Sequence, residues 1–274
     1  MENKILSDAK KYYQEYIARA EEYYEEVPEH CFHSQIKLVD ESDEELANSS
    51  GADLIENCIY VNPNTSDLEW LIYHEMEHVR CALNIGKTHS TGLYIVDKNE
   101  NGETVTSGES INEGVVELAV EELLGRKQEL VGYYESTAIV SQIGAALGMN
   151  DKEFIDNCND EDGREYIKYT INGHIGDERN KFFDELACII DALHYYHMLD
   201  MEKEYEEFGE ITVKPLGKYE SDQTKKYRKL VQERIKEIPL FAKRCGNISE
   251  DEYNRRIEKI NVLSPYTQNQ SETG

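Results

Sequence analysis

Two histidines and a glutamate lie close together in one short segment of the sequence. Residues 71–79 read LIYHEMEHV, so His74 and His78 are four residues apart and Glu75 directly follows the first histidine. On a helix, residues four apart lie on one face, and both imidazoles can then share one tetrahedral metal ion. Glu75 lies about 100° further round the helix, where its carboxylate can accept a proton from water on the metal. The segment therefore predicts Zn²⁺ as the cofactor and water as the nucleophile.

A catalytic zinc site needs a third protein ligand besides a position open to water. A third histidine in the extended pattern H-E-x-x-H-x-x-G-x-x-H is excluded, because Cys81 and Asn84 occupy its glycine and final histidine positions. His89 is a second source, but it lies beyond Gly86, where the helix is expected to end.

The third source is the segment that starts at Ser110 and ends before Gly125. It carries Glu113 and Glu117 four residues apart, on a predicted helix that is otherwise apolar on that side. Burying two carboxylates there costs free energy unless a metal ion or a hydrogen-bond partner compensates. We therefore expect one carboxylate to bind the metal and the other to accept a hydrogen bond from outside the ligand shell.

The two motifs together, His-Glu-x-x-His and then Asn-Glu-x-x-x-Glu, resemble those of the gluzincin metallopeptidases, the thermolysin-like group of zinc enzymes. The resemblance covers residues 66 to about 124. Carried over residue by residue, the resemblance implies that His74, His78 and Glu113 bind zinc and that Glu75 is the general base. It also implies that Glu117, outside the ligand shell, accepts a hydrogen bond from a ligand histidine.

The chain departs from the gluzincin pattern in three places, one of which is the segment 114–117, where it matches the family's sequence only loosely. Glu77 is charged where the family usually has an uncharged residue, and the 34 residues between His78 and Glu113 exceed the spacing in thermolysin-like enzymes. The family's oxyanion-stabilising residue matches no single position, and five residues remain candidates for it: His174, His194, His197, Tyr94 and Tyr133. The pair His194 and His197 is also compatible with a second metal site, although helix packing explains it more simply.

Two capping signals and the hydrophobic periodicity indicate the elements that carry these motifs. Ser-x-x-Glu spacing at Ser66 and again at Ser110 predicts helices over about 67–85 and from 110 to Gly125. Short strands are expected within 31–39 and 54–61, and a hairpin at 91–96 and 103–106. The remaining predicted helices occupy about 1–26, 133–149, 151–158, 177–207, 221–244 and 249–263.

This pattern predicts an α+β fold with a change of composition near residue 108. We expect an N-terminal α/β lobe over 1–108, with a short sheet and the His-Glu-x-x-His helix, and a predominantly helical lobe over 109–266 that supplies the third ligand. A polar, flexible tail is expected over 267–274. Combined with the resemblance, this is a zincin-like architecture with its cleft between the lobes.

Composition limits the partners of the chain. Its 29 Lys and Arg against 56 Asp and Glu give a formal net charge of −27, which repels nucleic-acid phosphates. The longest uncharged stretch, 136–150, is shorter than the roughly 20 apolar residues of a membrane span. No signal-peptide pattern is present, and the six cysteines form no C-x-x-C pair. We expect a cytoplasmic protein that acts on a peptide or protein, without nucleic-acid or membrane binding.

Three functions fit these observations. The first is a zinc metallopeptidase, and the second is a protease of narrow specificity, either one that cleaves a regulator or an effector delivered into another cell. The third is a non-catalytic zinc-binding module, which the retained Glu75 argues against because a structural site needs no base. The basic segment 211–245 carries ten Lys or Arg against four Asp or Glu. It either faces an acidic partner or packs on acidic surface of the same chain, and we expect the second because neutralisation within the chain is always available.

Overall fold

The structure of the protein is a computed structural model, and its described residues are mostly helical with two small sheets. An α+β fold is therefore confirmed. The described residues are 2–39, 50–82, 93, 95–98, 104–126, 134–175, 182–208 and 220–263.

Helix α1, Glu2–Tyr23, packs on helix α2, Leu68–Cys81, which carries the two histidines. The buried face of α1 is rich in tyrosine, with Tyr13 and Tyr16 almost fully covered. Because tyrosine combines an apolar ring with a hydroxyl group, this face can pack against α2 and also hydrogen-bond to its polar groups.

A short 3-10 helix, Glu29–His33, leads into a three-stranded sheet that backs α2. Strand β3, Cys58–Val61, lies in the middle, parallel to β1, Gln35–Leu38, and antiparallel to β2, Gly51–Asp53. Three of the four residues of β3 are buried, as expected for a central strand. The strands predicted within 31–39 and 54–61 thus exist, although each is shorter than its predicted segment.

The predicted hairpin is present as two antiparallel strands. Strand β4 is Ile95–Lys98 and strand β5 is Thr104–Ser107, with Val96 opposite Thr106. Residues 99–103, between the two strands, lie outside the described residues.

The remainder of the described chain is helical. Six further predicted helices are confirmed, with shifts of a few residues at their ends, but the sequence patterns did not predict α6, in which glycine and threonine interrupt the apolar periodicity. The bounds are α3 Glu109–Leu124, α4 Tyr134–Leu147, α5 Asp151–Asn159, α6 Glu161–Ile175, α7 Phe182–Phe208, α8 Asp222–Arg244 and α9 Glu250–Val262.

The contacts divide the chain into two compact units. The first is Met1–Gly92 together with Ala119–Arg126, and the second is Leu93–Leu118 together with Lys127–Gly274. The predicted boundary at 108 does not coincide with this division, because β4 and β5 belong to the second unit and the C-terminal part of α3 belongs to the first. The 267–274 tail lies outside the described residues.

Two further observations bear on the predictions from composition. In the part of the chain that the structure describes, no helix has the length and apolar character needed to cross a bilayer.

Within the second unit, Arg228 of α8 pairs with Glu135 and Glu220, and Arg234 pairs with Glu185. Part of the basic segment is therefore neutralised by acidic groups of the same chain.

Candidate metal centre

The helix that carries the two histidines starts at a side-chain cap. The carboxylate of Asp67 accepts a hydrogen bond from the Trp70 main-chain N–H at 3.0 Å, so the cap is Asp67 and the prediction of Ser66 was wrong by one residue. The helix also ends earlier than the predicted residue 85, at Cys81, because Ala82 is already extended.

His74 and His78 are brought together on one face of α2, as their spacing predicts. Their Nε2 atoms are 3.1 Å apart, and the rings meet edge to face. Two nitrogens bound to one tetrahedral zinc at 2.0–2.1 Å would be about 3.3 Å apart. The two imidazoles therefore already have nearly the separation that a shared metal ion requires.

Glu113 of α3 joins the two histidines. One ligand atom from each of His74, His78 and Glu113 lies within 4.8 Å of the other two, and all three side chains are half-buried. Two imidazoles and a carboxylate form a donor set that suits a divalent transition metal. The three residues predicted as ligands thus form a group able to hold a metal ion.

The two other predicted site residues are buried carboxylates beside these ligands in the sequence. Glu75 is 6% exposed and Glu117 only 1%. Burying a carboxylate costs free energy unless a partner compensates it. The hydrogen bond from a ligand histidine to Glu117 stays a prediction.

The charge on Glu77, which departs from the gluzincin pattern, has a structural explanation in the first unit. Glu77 is fully buried, and its carboxylate accepts hydrogen bonds from the hydroxyls of Tyr16 and Tyr24 at 2.9 and 3.1 Å. The guanidinium of Arg80 donates to the other carboxylate oxygen at 3.0 and 2.6 Å. These contacts attach the face of α2 that carries Glu77 and Arg80 to α1.

Burial and charge explain the protonation of this network. Burial raises the pKa of both Tyr16 and Tyr24 well above the ordinary value of tyrosine, and the nearby Glu77 carboxylate raises it further. Arg80 lowers the tyrosine pKa, but its effect is smaller than that of burial. Both tyrosines therefore stay protonated and act as hydrogen-bond donors to Glu77.

A second set of contacts joins α2 to the end of α3 within the first unit. Arg126 donates to both carboxylate oxygens of Asp67, at 3.1 and 2.9 Å, and its guanidinium lies 5.1 Å from the Trp70 ring. Arg19 of α1 donates to the carbonyl of Leu123 at 2.7 Å. The C-terminal part of α3 is thereby attached to the helix that carries the histidines.

The start of α3 differs from its prediction. Ser110 is not the N-cap: the helix begins at Glu109, and the N–H groups of Gly108 and Ser110 both donate to Asp191 of α7. The predicted stop at Gly125 is confirmed, because Gly125 has the positive φ of +64° that favours glycine.

Gly114, which follows the predicted ligand Glu113, has a packing role that the sequence patterns did not reveal. A Cβ at this position would lie 2.7 Å from the Ser136 carbonyl oxygen and 2.9 Å from Val140 of α4. Only glycine permits this close approach of α3 and α4. A glycine within an otherwise apolar helix is the signal that could have indicated it.

The candidates for oxyanion stabilisation are only partly described. Tyr94 and Tyr133 lie outside the described residues, and the side chain of His174 in α6 is likewise not described. His194 interacts electrostatically with Glu113, and burial lowers the pKa of His194 below its ordinary value. Of these five candidates, His194 is the one for which the structure gives an interaction with a predicted ligand.

The alternative metal sites receive less support. His197 Nδ1 lies 3.9 Å from a Glu135 oxygen, but no second group of three ligands is found within the described ranges. Two histidines outside these sites, His30 and His33, have other partners: a ring nitrogen of His30 donates to the Val79 carbonyl at 2.8 Å, and His33 Nε2 lies 3.0 Å from Glu29. The remaining alternative ligand, His89, lies outside the described residues.

Comparison of the chain with protein-family models, with curated proteins and with solved structures finds no match in any of the three.

Proposed function

We propose that the protein is a zinc-dependent metallopeptidase of the gluzincin type, with a zincin-like fold. The observation that carries this proposal is the group formed by His74, His78 and Glu113, whose ligand atoms lie within 4.8 Å of one another. Its members come from the two motifs that resemble those of gluzincins.

Glu75 favours hydrolysis over the other reactions that such ligands support. Two histidines and a carboxylate also bind iron(II) in oxygenases, and their identity alone does not select zinc. A glutamate that directly follows the first ligand histidine, and that is buried in the structure, has the position that a hydrolase needs for proton transfer. An oxygenase has no evident use for this group.

In the proposed mechanism, the imidazoles of His74 and His78 and the carboxylate of Glu113 hold the ion. When bound, zinc polarises a carbonyl group and lowers the pKa of water to about 7. The Glu75 carboxylate accepts a proton from the attacking water and donates it to the nitrogen of the leaving amine. Glu117 accepts a hydrogen bond from a ligand imidazole and so fixes its tautomer and orientation.

Zinc binding is the first test. Elemental analysis of metal-repleted protein is expected to give about one zinc per chain, and His74→Ala with His78→Ala should abolish it. His33→Ala is the matched control, because His33 is exposed and pairs with Glu29 away from these ligands. Absence of zinc in the unmodified protein, or uptake unchanged by the double substitution, would rule out this site.

Glu75→Gln separates proton transfer from metal binding. The variant should retain zinc and lose about 100-fold or more of the hydrolytic rate, because only the proton acceptor is removed. Glu69→Gln, on the same helix but partly exposed beside Arg126, should retain the rate. Cleavage of a peptide library followed by mass spectrometry measures the hydrolytic rate of both variants. An active Glu75→Gln enzyme would assign the base to another residue.

Glu113 and Glu117 are expected to differ in zinc titrations. Glu113→Ala should weaken zinc binding more than Glu117→Ala, since loss of an outer hydrogen-bond partner typically costs about 10- to 100-fold in affinity or activity. The reverse order would exchange the two roles.

The two other functions predict different results. A narrow-specificity protease would bind zinc and a hydroxamate, which needs an open metal position, yet cleave few library peptides. A non-catalytic zinc module would bind zinc but not the hydroxamate, because structural sites are closed by four protein ligands.

A further inference from the structure

The first turn of α3 is held by a side chain from a different helix. Asp191 of α7 accepts hydrogen bonds from the main-chain N–H groups of Gly108 at 2.8 Å and Ser110 at 3.0 Å, one on each carboxylate oxygen. The first N–H groups of a helix have no partner within the helix, and a carboxylate there is also favoured by the helix dipole. Asp191 thus replaces the local cap that Ser110 was predicted to provide.

This cap lies one turn before the predicted ligand. Gly108 accepts the first main-chain hydrogen bond of the helix, from Asn112 at 2.9 Å, and Glu113 is the next residue. Gly108 and Ser110 are both buried. The Asp191 carboxylate is the acceptor that satisfies their two N–H groups.

Helix α7 also approaches the ligand itself. His194, one turn after Asp191, interacts electrostatically with Glu113. The same face of α7 consequently contacts the start of α3 through Asp191 and lies near the Glu113 side chain.

We propose that Asp191 is a positioning residue of the metal site, which holds the first turn of α3 so that Glu113 meets the two histidines. The inference rests on the proposed function, since it needs Glu113 to be a ligand. Metal and catalytic sites require their groups within about 0.5 Å of the productive geometry, so a displaced first turn should weaken metal binding.

The chain offers a matched control on the same helix. Asp200 lies nine residues after Asp191 and contacts the start of α8, whose N-cap is Ser221: it accepts hydrogen bonds from the Ser221 N–H at 2.9 Å and the Thr224 hydroxyl at 2.6 Å. Loss of either aspartate removes two hydrogen bonds at a helix start, but α8 carries no predicted ligand.

The experiment measures Zn²⁺ affinity, the visible absorption of bound Co²⁺ and thermal unfolding in the full chain. Asp191→Ala and Asp200→Ala should both lower the unfolding temperature. Only Asp191→Ala should weaken Zn²⁺ binding, by about 10- to 100-fold, and alter the Co²⁺ bands. Asp191→Asn keeps one acceptor oxygen, so its Zn²⁺ affinity should lie between those of Asp191→Ala and the unmodified protein. This variant also tests the inference if Asp191→Ala does not fold.

A double-mutant cycle tests whether Asp191 acts through Glu113. In a Glu113→Ala background, Asp191→Ala should cause no further loss of Zn²⁺ affinity, because the ligand that it positions is absent. An equal loss in both backgrounds, or equal effects of the two aspartate variants on Zn²⁺ affinity, would overturn the inference and leave the proposed function intact. Failure of the unmodified protein to bind Zn²⁺ would overturn the proposed function, and this inference with it.

Discussion

Replacing Glu77 by glutamine should strongly destabilise the fold, because the carboxylate is the centre of a buried network. Glu77 is 0% exposed and accepts four hydrogen bonds, two from tyrosine hydroxyls and two from Arg80, which is itself 6% exposed. Glu77→Gln leaves the guanidinium buried without its counter-charge. Breaking a buried ion pair in this way costs about 3 to 5 kcal/mol, which shifts the unfolding equilibrium by roughly two to four orders of magnitude.

Urea unfolding of the metal-free chain measures this cost, so that metal binding does not contribute. Trp70 is the single tryptophan, lies on α2 and is 3% exposed, so its fluorescence reports directly on the helix concerned. Glu15→Gln is the matched control: its carboxylate pairs with Lys11 on the surface of α1, where an ion pair contributes at most about 1 kcal/mol.

A double variant separates charge from packing. Glu77→Leu with Arg80→Met removes both charges and should be more stable than Glu77→Gln alone, since apolar replacement of a buried pair is often neutral. The reasoning is refuted if Glu77→Gln changes the free energy of unfolding by less than about 1 kcal/mol, or if the double variant is the less stable of the two.

Three further predictions concern packing, pH and cysteine accessibility. Gly114→Ala should cost about 1–3 kcal/mol in urea unfolding and weaken zinc binding, because its methyl group would overlap the Ser136 carbonyl; unchanged values for both would contradict the packing argument. Burial raises the pKa of Tyr73 to about 12, so ionisation of tyrosine in the unfolded chain near pH 10 should lower stability between pH 10 and 12. In pH-dependent unfolding, Tyr73→Phe should reduce this loss. In the native protein, a thiol reagent should rapidly modify the two exposed cysteines, Cys188 and Cys245. The buried cysteines, Cys31, Cys58, Cys81 and Cys158, should react only after the protein is denatured.

Local patterns in the sequence predicted most of the helices and the three residues, His74, His78 and Glu113, that the structure groups together. His74 and His78 share a face because the 3.6-residue repeat of a helix places residues four apart together, whatever the rest of the chain does. The same kind of local information predicted the hairpin and most helices. It failed at the caps, because Asp67 and Ser66 are both good N-cap residues and pattern alone does not distinguish adjacent ones.

Which groups compensate the buried charges depends on the tertiary structure. Glu77 is paired through Arg80 in its own helix and through the tyrosines of α1, so an apparent departure from the expected motif is a packing feature. Asp191 meets the start of α3 from 81 residues further along the chain. No periodicity encodes such a contact, because hydrogen bonds between distant segments depend on how the helices pack and not on the spacing of residues within either one.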